Sequence, residues 1–366
     1  MGRGKVLMAM SGGLDSSVAA MMLLECGYDL VGITMKTWEY ADSGIDGKET
    51  GCCSLDSIND ARHLAVRLGF PHYVLDIREE FNHYIVKDFI EEYLEGRTPN
   101  PCVLCNTHIK WGALLKRAGQ LGCDYIATGH YARIREEGGR MVLYKGEDQG
   151  KDQSYVLWGL SQDFLRKTIF PLGDYTKDQI RSIARKAGFE QVAEKRESYE
   201  ICFIPDNDYR GFLEKQVPGL GQKIGGGDFV DIEGNVIGRH KGYPFYTIGQ
   251  RKGLNIAMGE PMYVNRIIPR TNTIVLGNKK QTFSKRFWVS GFNPIKSERL
   301  PEDDPVIVKI RYKDPGHLAS VQYKENSSGI TVNLHQAASA VTPGQSAVFY
   351  DGNDVLGGGF IETDTE

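Results

Sequence analysis

The first half of the chain alternates short apolar runs with stretches that carry apolar residues every three or four positions. The second pattern is typical of amphipathic helices, and apolar runs between such helices are typical of buried parallel strands. Helices are predicted at 15–26, 57–69 and 79–95, and strands at 5–10, 30–35, 73–75 and 124–129. This order predicts βαβ units and a parallel sheet, which binds ligands at the carboxyl ends of its strands.

The pattern changes after the fourth predicted strand. A hairpin is predicted at 133–145, turning at Gly138 and Gly139, and helical stretches follow near 153–160 and 176–188. From residue 262 onward, short β segments favour a small barrel or sandwich; they lie at 262–268, 273–276, 306–312, 319–323, 330–334 and 346–350. We predict three domains: an α/β parallel-sheet nucleotide-binding domain (1–205), a small Gly-rich connector (206–275) and an antiparallel β-barrel (276–366).

Composition supports a folded protein of several domains. The chain has 366 residues, of which 41% are hydrophobic and 25% charged, as in ordinary globular proteins. No apolar run reaches the roughly 18 residues that a membrane span needs, and the first residues resemble neither a secretory signal nor a transit peptide. We therefore predict a cytoplasmic protein whose seven cysteines are thiols, metal ligands or catalysts rather than disulfides.

Charge is distributed unevenly along the chain, although the net charge is only −3. Residues 239–313 hold 15 Lys and Arg against 5 Asp and Glu. A basic segment on an otherwise acidic protein favours a polyanionic partner, although a solvated basic face explains the charge equally well.

Residues 11–17 read Ser-Gly-Gly-Leu-Asp-Ser-Ser, between the first predicted strand and the first predicted helix. Glycines let backbone N–H groups approach an anion, serines add hydroxyl donors, and a helix N-terminus adds N–H groups and a positive dipole end. The segment does not match the Walker motif, which disfavours γ-phosphate transfer. Asp15 is unusual beside an anion unless Mg²⁺ lies between them. The alternative is a helix capped by Ser11 or Asp15.

Two cysteines follow the stiff Pro-Asn-Pro segment at 99–101. The helical pattern is predicted to resume after Asn106, which places Cys105 near a helix N-terminus, where the dipole lowers a thiol pKa. Three interpretations stay open: a structural zinc site that includes Cys102, Cys105 and Cys202, buried cysteines, or sulfur transfer with one thiol carrying a sulfane sulfur and another resolving the disulfide.

The remaining cysteines give weaker signals. We expect isolated Cys26 and Cys123 to be buried as small apolar side chains. Cys52 and Cys53 form a neighbouring pair in a Gly- and Asp-rich stretch, and the sequence does not decide whether they are ligands.

The 11–17 segment resembles the PP-loop of N-type ATP pyrophosphatases, which cleave ATP between the α and β phosphates. Further segments extend the resemblance: TPNPCVLCN at 98–106, ATGHYAR at 127–133, KDQSYVL at 151–157, ESYEICFI at 197–204, HKGYPFYTIGQRKGL at 240–254 and TPGQSAVFY at 342–350. Taken together and in this order, they resemble the tRNA-specific 2-thiouridylases over essentially the whole chain.

The resemblance implies an ATP-dependent sulfurtransferase. Such enzymes replace oxygen by sulfur at C2 of the wobble uridine in tRNAs for Lys, Glu and Gln, after ATP adenylates that oxygen. It implies that Cys202 carries a persulfide and that Cys105 is the partner nucleophile. It also implies ATP and Mg²⁺ as cofactors, tRNA as substrate, and a cysteine desulfurase or a sulfur-relay protein as donor.

The resemblance also assigns binding residues. Those of the ATP site are Ala9, Met10, Ser11, Gly12, Gly13, Leu14, Asp15, Ser16, Met35 and Gly129. Those that contact the target base are Asn100, Pro101 and Cys102, and those that contact the rest of the tRNA are His130, Lys151, Asp152, Gln153, Arg311, Tyr312 and Gln345. On the residues alone, His130 could be a packed core histidine, but its position at a strand's carboxyl end beside Gly129 favours a role in a site. Without the resemblance, Lys151 and Arg311 would be interpreted as solvated surface charges.

One residue departs from the family pattern. Many members carry Asp at the position of Cys102, where a carboxylate is proposed as acid or base, and a thiol is a weaker substitute. The change also provides three cysteines, Cys102, Cys105 and Cys202, that could hold a [4Fe–4S] cluster; we favour persulfide chemistry over this alternative. Two rivals are an amidating ligase, for which no glutaminase domain is evident, and a non-catalytic RNA-binding module, for which the cysteines would be dispensable.

Overall fold

The chain forms two compact units. The computed structural model describes residues 3–38, 54–195, 201–323 and 329–363. The first unit comprises Met1–Ile85, Cys102–Asn207 and Asn353–Val355, and the second comprises Val86–Pro101, Asp208–Gly352 and Leu356–Glu366. The domain boundaries near residues 205 and 275 stay predictions.

Seventeen strands lie in the described ranges. In chain order they are β1 Lys5–Ala9, β2 Asp29–Lys36, β3 His72–Asp76, β4 Tyr125–Ala127, β5 Ala132–Glu137, β6 Arg140–Lys145, β7 Thr168–Ile169, β8 Gly227–Val230, β9 Val236–His240, β10 Tyr263–Ile268, β11 Thr273–Gly277, β12 Phe283–Pro294, β13 Val306–Lys309, β14 His317–Tyr323, β15 Ile330–Ser339, β16 Ser346–Asp351 and β17 Asp354–Glu362.

Eleven α-helices lie in the same ranges. They are α1 Leu14–Glu25, α2 Leu55–Leu68, α3 Arg78–Phe81, α4 Lys87–Leu94, α5 Pro101–Leu104, α6 Leu114–Gln120, α7 Gln162–Arg166, α8 Lys177–Lys186, α9 Glu190–Ala193, α10 Tyr209–Gln216 and α11 Leu220–Ile224. Two π-helical segments are Asn82–Val86 and Cys105–Ala113, and 3₁₀ turns are Ser154–Leu157, Tyr243–Phe245, Pro269–Thr271 and Lys279–Thr282.

A parallel sheet organises the first unit, as the sequence predicts. Its described strands lie in the order β3-β2-β1-β4-β7, and the central strand β1 pairs in parallel with both β2 and β4. Val6, Leu7 and Met8 of β1 are fully buried, which explains its continuous apolar run. The loops that follow β1, β2 and β4 therefore leave the same edge of the sheet. The two-residue strand β7 is too short for the hydrophobic pattern to predict.

Helix boundaries in this unit follow local capping chemistry. Ser54 caps α2 by accepting from the Ser57 backbone N–H, and Gly69 ends it at φ +80°, a conformation that glycine adopts without strain. A full capping box between Thr176 and Gln179 starts α8. Cys26 lies at the exposed end of α1, so the expectation that it is buried is wrong, and Cys123 is only partly buried.

The helix that carries Cys105 begins earlier than predicted. It starts at Pro101 and runs continuously to Gln120, with a π-helical segment from Cys105 to Ala113. Proline suits the first helical position because the N–H that it lacks would have no partner there. Asn106 is buried and donates its side-chain amide to the Val156 carbonyl at 2.8 Å. The prediction that Asn106 caps a helix is therefore wrong, and Cys105 lies in the second helical turn.

The predicted hairpin is confirmed as β5 and β6, which pair in antiparallel fashion. Its glycines Gly138 and Gly139 have φ of +58° and +79°, as a tight hairpin turn requires. Asp354 joins this unit through the pairing of its backbone with Tyr144. Its carboxylate also accepts two hydrogen bonds of 2.7 Å from the Arg135 guanidinium.

The second unit contains a four-stranded sheet in the order β10-β11-β8-β9. Strands β10 and β11 match two β segments that the sequence predicts, whereas β8 and β9 lie in the Gly-rich stretch where it predicts none. The β segments from residue 262 therefore do not all belong to one barrel, since the first two pair with β8 instead.

A closed barrel of six described strands completes the second unit, which confirms the predicted C-terminal antiparallel β-barrel. The strands follow the order β12-β15-β14-β13-β16-β17, and pairing of β12 with β17 closes the ring. The hydrophobic pattern does not predict these two closing strands. Bulges interrupt β12, and β17 carries three successive glycines. A Cβ at Gly357 would meet the Asn293 carbonyl oxygen at 2.5 Å, and one at Gly359 would meet that of Ser290 at 2.5 Å, so closure requires these glycines.

No helix among the described residues is long and apolar enough to cross a membrane.

Replacing Phe349 by Ala should destabilise the barrel strongly, because this side chain is fully buried. We expect a loss of about 3–5 kcal/mol in the free energy of unfolding, from lost transfer energy and the cavity left behind. The matched control is Phe283→Ala, whose side chain is 44% exposed and whose removal should cost under about 1 kcal/mol. Chemical denaturation followed by tryptophan fluorescence measures both, and equal losses would contradict the assignment of Phe349 to the core.

Candidate active site

The segment between β1 and α1 leaves the first turn of α1 without a capping side chain. Its N-cap is Gly13, with extended backbone and no side-chain hydrogen bond to the helix. The alternative of a helix capped by Ser11 or Asp15 is therefore wrong. The first backbone N–H groups of a helix have no partner within it, so an uncapped turn combines those donors with the positive end of the dipole. The arrangement suits an anion.

The serines of this loop brace it rather than face outward. The Ser17 hydroxyl donates to the Gly13 carbonyl at 2.8 Å, and the Ser16 hydroxyl donates to the same carbonyl at 3.2 Å. The Ser11 backbone N–H in turn donates to the Ser16 Oγ at 3.2 Å. Each hydroxyl has one proton to donate, and both protons are used in the bonds to Gly13. Ser16 and Ser17 therefore do not act here as the donors to an anion that the sequence predicts.

Two glycines allow neighbouring backbones to approach the loop closely. Gly12 has φ +69°, and a Cβ there would lie 2.1 Å from the Ser57 carbonyl oxygen. Gly129, just after β4, would place a Cβ 2.9 Å from the Asp15 carbonyl carbon and from the Ser16 backbone nitrogen. A side chain at Gly12 would therefore collide with the backbone of α2, and one at Gly129 would collide with the first turn of α1. The structure thus brings Gly129 to the predicted nucleotide loop.

Asp15 is neutralised by a lysine that the sequence gives no reason to select. The Lys177 ammonium donates to both Asp15 carboxylate oxygens at 2.8 Å, and the Tyr131 hydroxyl donates to Asp15 Oδ1 at 2.8 Å. The Lys177 side chain is only 10% exposed. The carboxylate charge is therefore balanced within the protein, so Asp15 does not fit the predicted role of a Mg²⁺ ligand.

A second lysine contacts the loop at Gly12. Lys195 donates to the Gly12 carbonyl oxygen at 2.6 Å and forms an ion pair with Asp60. It is separated from Gly12 by 183 positions in the chain, so no local pattern could have revealed the contact.

Cys102 lies in the first turn of the Pro101–Gln120 helix, three residues before Cys105. The Cys102 side chain is accessible to solvent, yet the protein around it is dense enough that desolvation raises the pKa of its thiol, while nearby Lys110 acts in the opposite direction. A thiol with a raised pKa stays protonated at neutral pH, so Cys102 is poorly suited to act as a general base. Cys105 is partly buried on the same helix.

His130 is buried and held in one tautomer. Its Nε2 lies 3.4 Å from the Lys110 Nζ, and its Nδ1 lies 2.7 Å from the Thr128 Oγ1. Because an ammonium group can only donate, we assign the lone pair to Nε2 and the proton to Nδ1, which donates to Thr128. Burial, and secondarily Lys110, lowers the pKa of His130 well below its ordinary value. The imidazole is therefore neutral at pH 7.

Cys202 is exposed, and its neighbour Phe203 anchors the segment. The Phe203 ring packs against those of Phe81 at 5.7 Å and Trp38 at 6.1 Å, measured between centroids. Trp38 follows β2, so this anchor lies beyond the carboxyl end of a sheet strand. Residues 197–200 of the ESYEICFI motif lie outside the described residues, as do Cys52 and Cys53, whereas residues 201–204 are described.

The cysteines of the described ranges do not gather into a metal site. Across residues 3–38, 54–195, 201–323 and 329–363, no group of three His, Cys, Asp or Glu side chains is arranged to hold a metal ion. The alternatives of a structural zinc or a [4Fe–4S] cluster on Cys102, Cys105 and Cys202 are therefore not supported by their positions.

The expected tRNA contacts in the first unit include two residues with internal structural bonds. Asp152 is buried and accepts from the backbone N–H groups of Gly146 and Ser154, both at 3.1 Å. Gln153 Oε1 accepts from the Tyr131 backbone N–H at 3.0 Å. Lys151 is partly exposed. Their tRNA contacts stay predictions.

The second unit holds the other expected contacts. Gln345 donates its side-chain amide to the carbonyls of Thr98 and Pro99, at 3.0 and 2.9 Å. It thereby fixes the extended segment that leads into Asn100 and Pro101, the residues expected to contact the target base. Arg311 and Tyr312 are exposed, and the Arg311 Nε lies 3.6 Å from buried Asp314.

Known families match most of the chain. The "tRNA methyl transferase HUP domain" matches residues 4–206, the "tRNA methyl transferase PRC-barrel domain" residues 211–278, and the "Aminomethyltransferase beta-barrel domain" residues 284–361. Together with the uncapped loop after β1, they define the class: a HUP-domain protein with a PP-loop, joined to two β modules.

Individual relatives narrow this class. The tRNA-specific 2-thiouridylase MnmA of Cytophaga hutchinsonii is 55% identical, over 99% of this chain and 98% of its own. That of Amoebophilus asiaticus is 54% identical, over 99% and 96%, and that of Salinibacter ruber 53%, over 98% and 94%. The chain belongs to the tRNA-specific 2-thiouridylase family, a family of enzymes, which confirms the resemblance. A solved 4-thiouridine synthetase–RNA complex with bound ATP is similar over 59% of this chain and 51% of its own, at 18% identity and a TM-score of 0.37, too low to support an argument.

A double-mutant cycle should show strong coupling between Asp15 and Lys177. Lys177→Met leaves a carboxylate without its cation, and Asp15→Asn leaves a nearly buried ammonium, so the double variant should lose less stability than the single losses combined. We expect a coupling of about 1–3 kcal/mol in the free energy of unfolding. The exposed pair Asp76 and Arg78, with side chains 52% and 43% exposed, is the matched control and should couple by under about 1 kcal/mol. Similar coupling in both pairs would contradict the assigned role of Lys177.

Lys110→Met should raise the pKa of both His130 and the Cys102 thiol, because the Lys110 cation lowers both. NMR titration of the His130 ring and the pH dependence of iodoacetamide alkylation at Cys102 measure the two shifts. Lys116→Met, which removes an exposed lysine from the same helix, should move neither. A fall in the pKa of His130 or of the Cys102 thiol on removing Lys110 would contradict the conclusion that the Lys110 cation lowers both pKa values.

Proposed function

We propose that this enzyme thiolates C2 of the wobble uridine in tRNAs of the Lys, Glu and Gln type, using ATP and sulfur from a cysteine persulfide. The observation that carries the proposal is the full-length match to 2-thiouridylases. The uncapped first turn of α1 and the thiols of Cys105 and Cys202 support its two chemical steps.

The nucleotide step uses the loop after β1. The ATP phosphates lie against the first turn of α1, whose N-cap Gly13 carries no side chain, and the ten residues assigned by resemblance form the site. A lone pair of uridine O2 forms a bond to the α-phosphorus, and the electron pair of the broken P–O bond departs with pyrophosphate. The poor leaving group at C2 becomes AMP. Mg²⁺ accompanies the phosphates in this proposal rather than binding to Asp15.

The sulfur step uses the two cysteines in one of two orders. In the first, the Cys105 thiolate attacks the Cys202 persulfide, a Cys105–Cys202 disulfide forms, and the released hydrosulfide attacks C2 as AMP leaves. In the second, the terminal persulfide sulfur attacks C2, AMP leaves, and Cys105 then attacks the Cys202 sulfur and frees the thiocarbonyl. Both orders end in one disulfide, which a thiol reductant must reduce before the next turnover.

The target base is held beside the helix that carries Cys105. Asn100, Pro101 and Cys102 contact it, and buried His130 adds no charge to its surroundings because its imidazole is neutral. We assign no proton transfer to Cys102, because a protonated thiol is a weak donor. A cysteine desulfurase or a relay protein supplies the persulfide sulfur, and the tRNA substrate together with thiol chemistry favours the cytoplasm.

Reconstitution with ATP, Mg²⁺, unmodified tRNA and a persulfide donor tests this function. Wild-type protein should form AMP and 2-thiouridine, detected by retardation of the tRNA on a mercury-containing gel. Cys105→Ser and Cys202→Ser should each lose product by about 10³-fold or more, as loss of a covalent participant does. Cys26→Ser, which removes an exposed thiol at the end of α1, should retain full activity. Thiolation by both serine variants, or no AMP from wild-type protein with tRNA, would refute the proposal.

A further inference from the structure

Lys195 is fixed against the nucleotide loop by a backbone contact. Its ammonium donates to the Gly12 carbonyl oxygen at 2.6 Å, and the position of Gly12 is set by its φ of +69° and by the Ser57 carbonyl beneath it. The charge of Lys195 therefore lies at the loop itself. The side chain is 30% exposed, so a ligand can reach it.

The two loop lysines differ in how firmly their counter-ions hold them. Lys177 is 10% exposed and bonded to both oxygens of Asp15, so its charge is balanced inside the protein. The partner of Lys195 is Asp60, whose side chain is 45% exposed. Exposed ion pairs contribute little to stability, whereas a polyphosphate offers an ammonium several charged acceptors. Lys195 is therefore the loop cation that can exchange its partner.

We propose that Lys195 binds the β- and γ-phosphates of the nucleotide, exchanging Asp60 for them, and stabilises pyrophosphate as it leaves. This inference rests on the proposed function. When the bond between the α-phosphorus and its bridging oxygen breaks, the electron pair departs on pyrophosphate, which gains negative charge. A cation already oriented at that position stabilises the charge as it develops. Asp60 competes with the phosphates for the same ammonium.

This competition separates binding from a structural role. A lysine that merely ties the loop to Asp60 would leave the loop looser when either partner is lost, so Lys195→Met and Asp60→Asn would both weaken binding. A lysine that binds phosphate gives opposite effects, because removal of Asp60 frees the cation for the ligand.

Calorimetric titration with ATP, AMP and inorganic pyrophosphate tests the inference. Lys195→Met should weaken the binding of ATP and of pyrophosphate by about 10- to 100-fold, the range expected for a charged hydrogen bond. The affinity for AMP should change by under about twofold. Lys195→Arg should recover part of the loss. Asp60→Asn should bind pyrophosphate at least as tightly as wild type. Lys186→Met, which removes an exposed lysine at the end of α8, is the matched control and should behave as wild type.

Weaker pyrophosphate binding by Asp60→Asn, or unchanged binding by Lys195→Met, would overturn the assignment of Lys195. If Lys195→Met does not fold, as judged by circular dichroism, the Asp60→Asn titration decides alone. The proposed function fails separately: wild-type protein would then bind no ATP, whereas failure of this inference leaves wild-type binding intact and alters only the pattern among variants.

Discussion

The active site depends on a helix that starts without a cap. Ser, Thr, Asp and Asn side chains commonly satisfy the first N–H groups of a helix, but α1 begins after Gly13, which has no side chain to offer. The donors remain open only because neighbouring backbones hold the turn in place. Gly129 and Gly12 make those contacts possible, since a single methyl group at either would collide with backbone atoms. The central parallel strands fix these contacts by bringing their carboxyl ends to one edge.

Charge at this edge is balanced by residues from distant parts of the chain. Asp15 would oppose an anion, but Lys177 and Tyr131 compensate its carboxylate. Lys110 and His130 also avoid an unbalanced charge, because burial and the Lys110 ammonium lower the pKa of His130 and keep its imidazole neutral. The loop therefore presents open backbone N–H groups beside two lysines, Lys177 and Lys195, each paired with a carboxylate.

In the second unit, barrel closure depends on two glycines, and the segment at 98–99 depends on the side chain of a glutamine. Strand β12 approaches β17 so closely that Gly357 and Gly359 must lack side chains, and this approach closes the barrel. The amide of Gln345 fixes the carbonyls of Thr98 and Pro99. A residue of the segment at 342–350 thereby orients the segment that leads into Asn100.

Sequence by itself determined the features that arise from local patterns: the alternation of strands and helices, the glycine-containing loop between the first strand and the first helix, and the hairpin at Gly138. Each depends on neighbours within a few positions, where periodicity and backbone preference act. Tertiary structure decided the rest. The Asp15–Lys177 contact spans 162 positions, the helix start at Pro101 overrides an apparent cap at Asn106, and barrel closure relies on bulged and Gly-rich strands that lack a clear pattern. Such contacts form only after folding brings remote segments together, so no local signal encodes them.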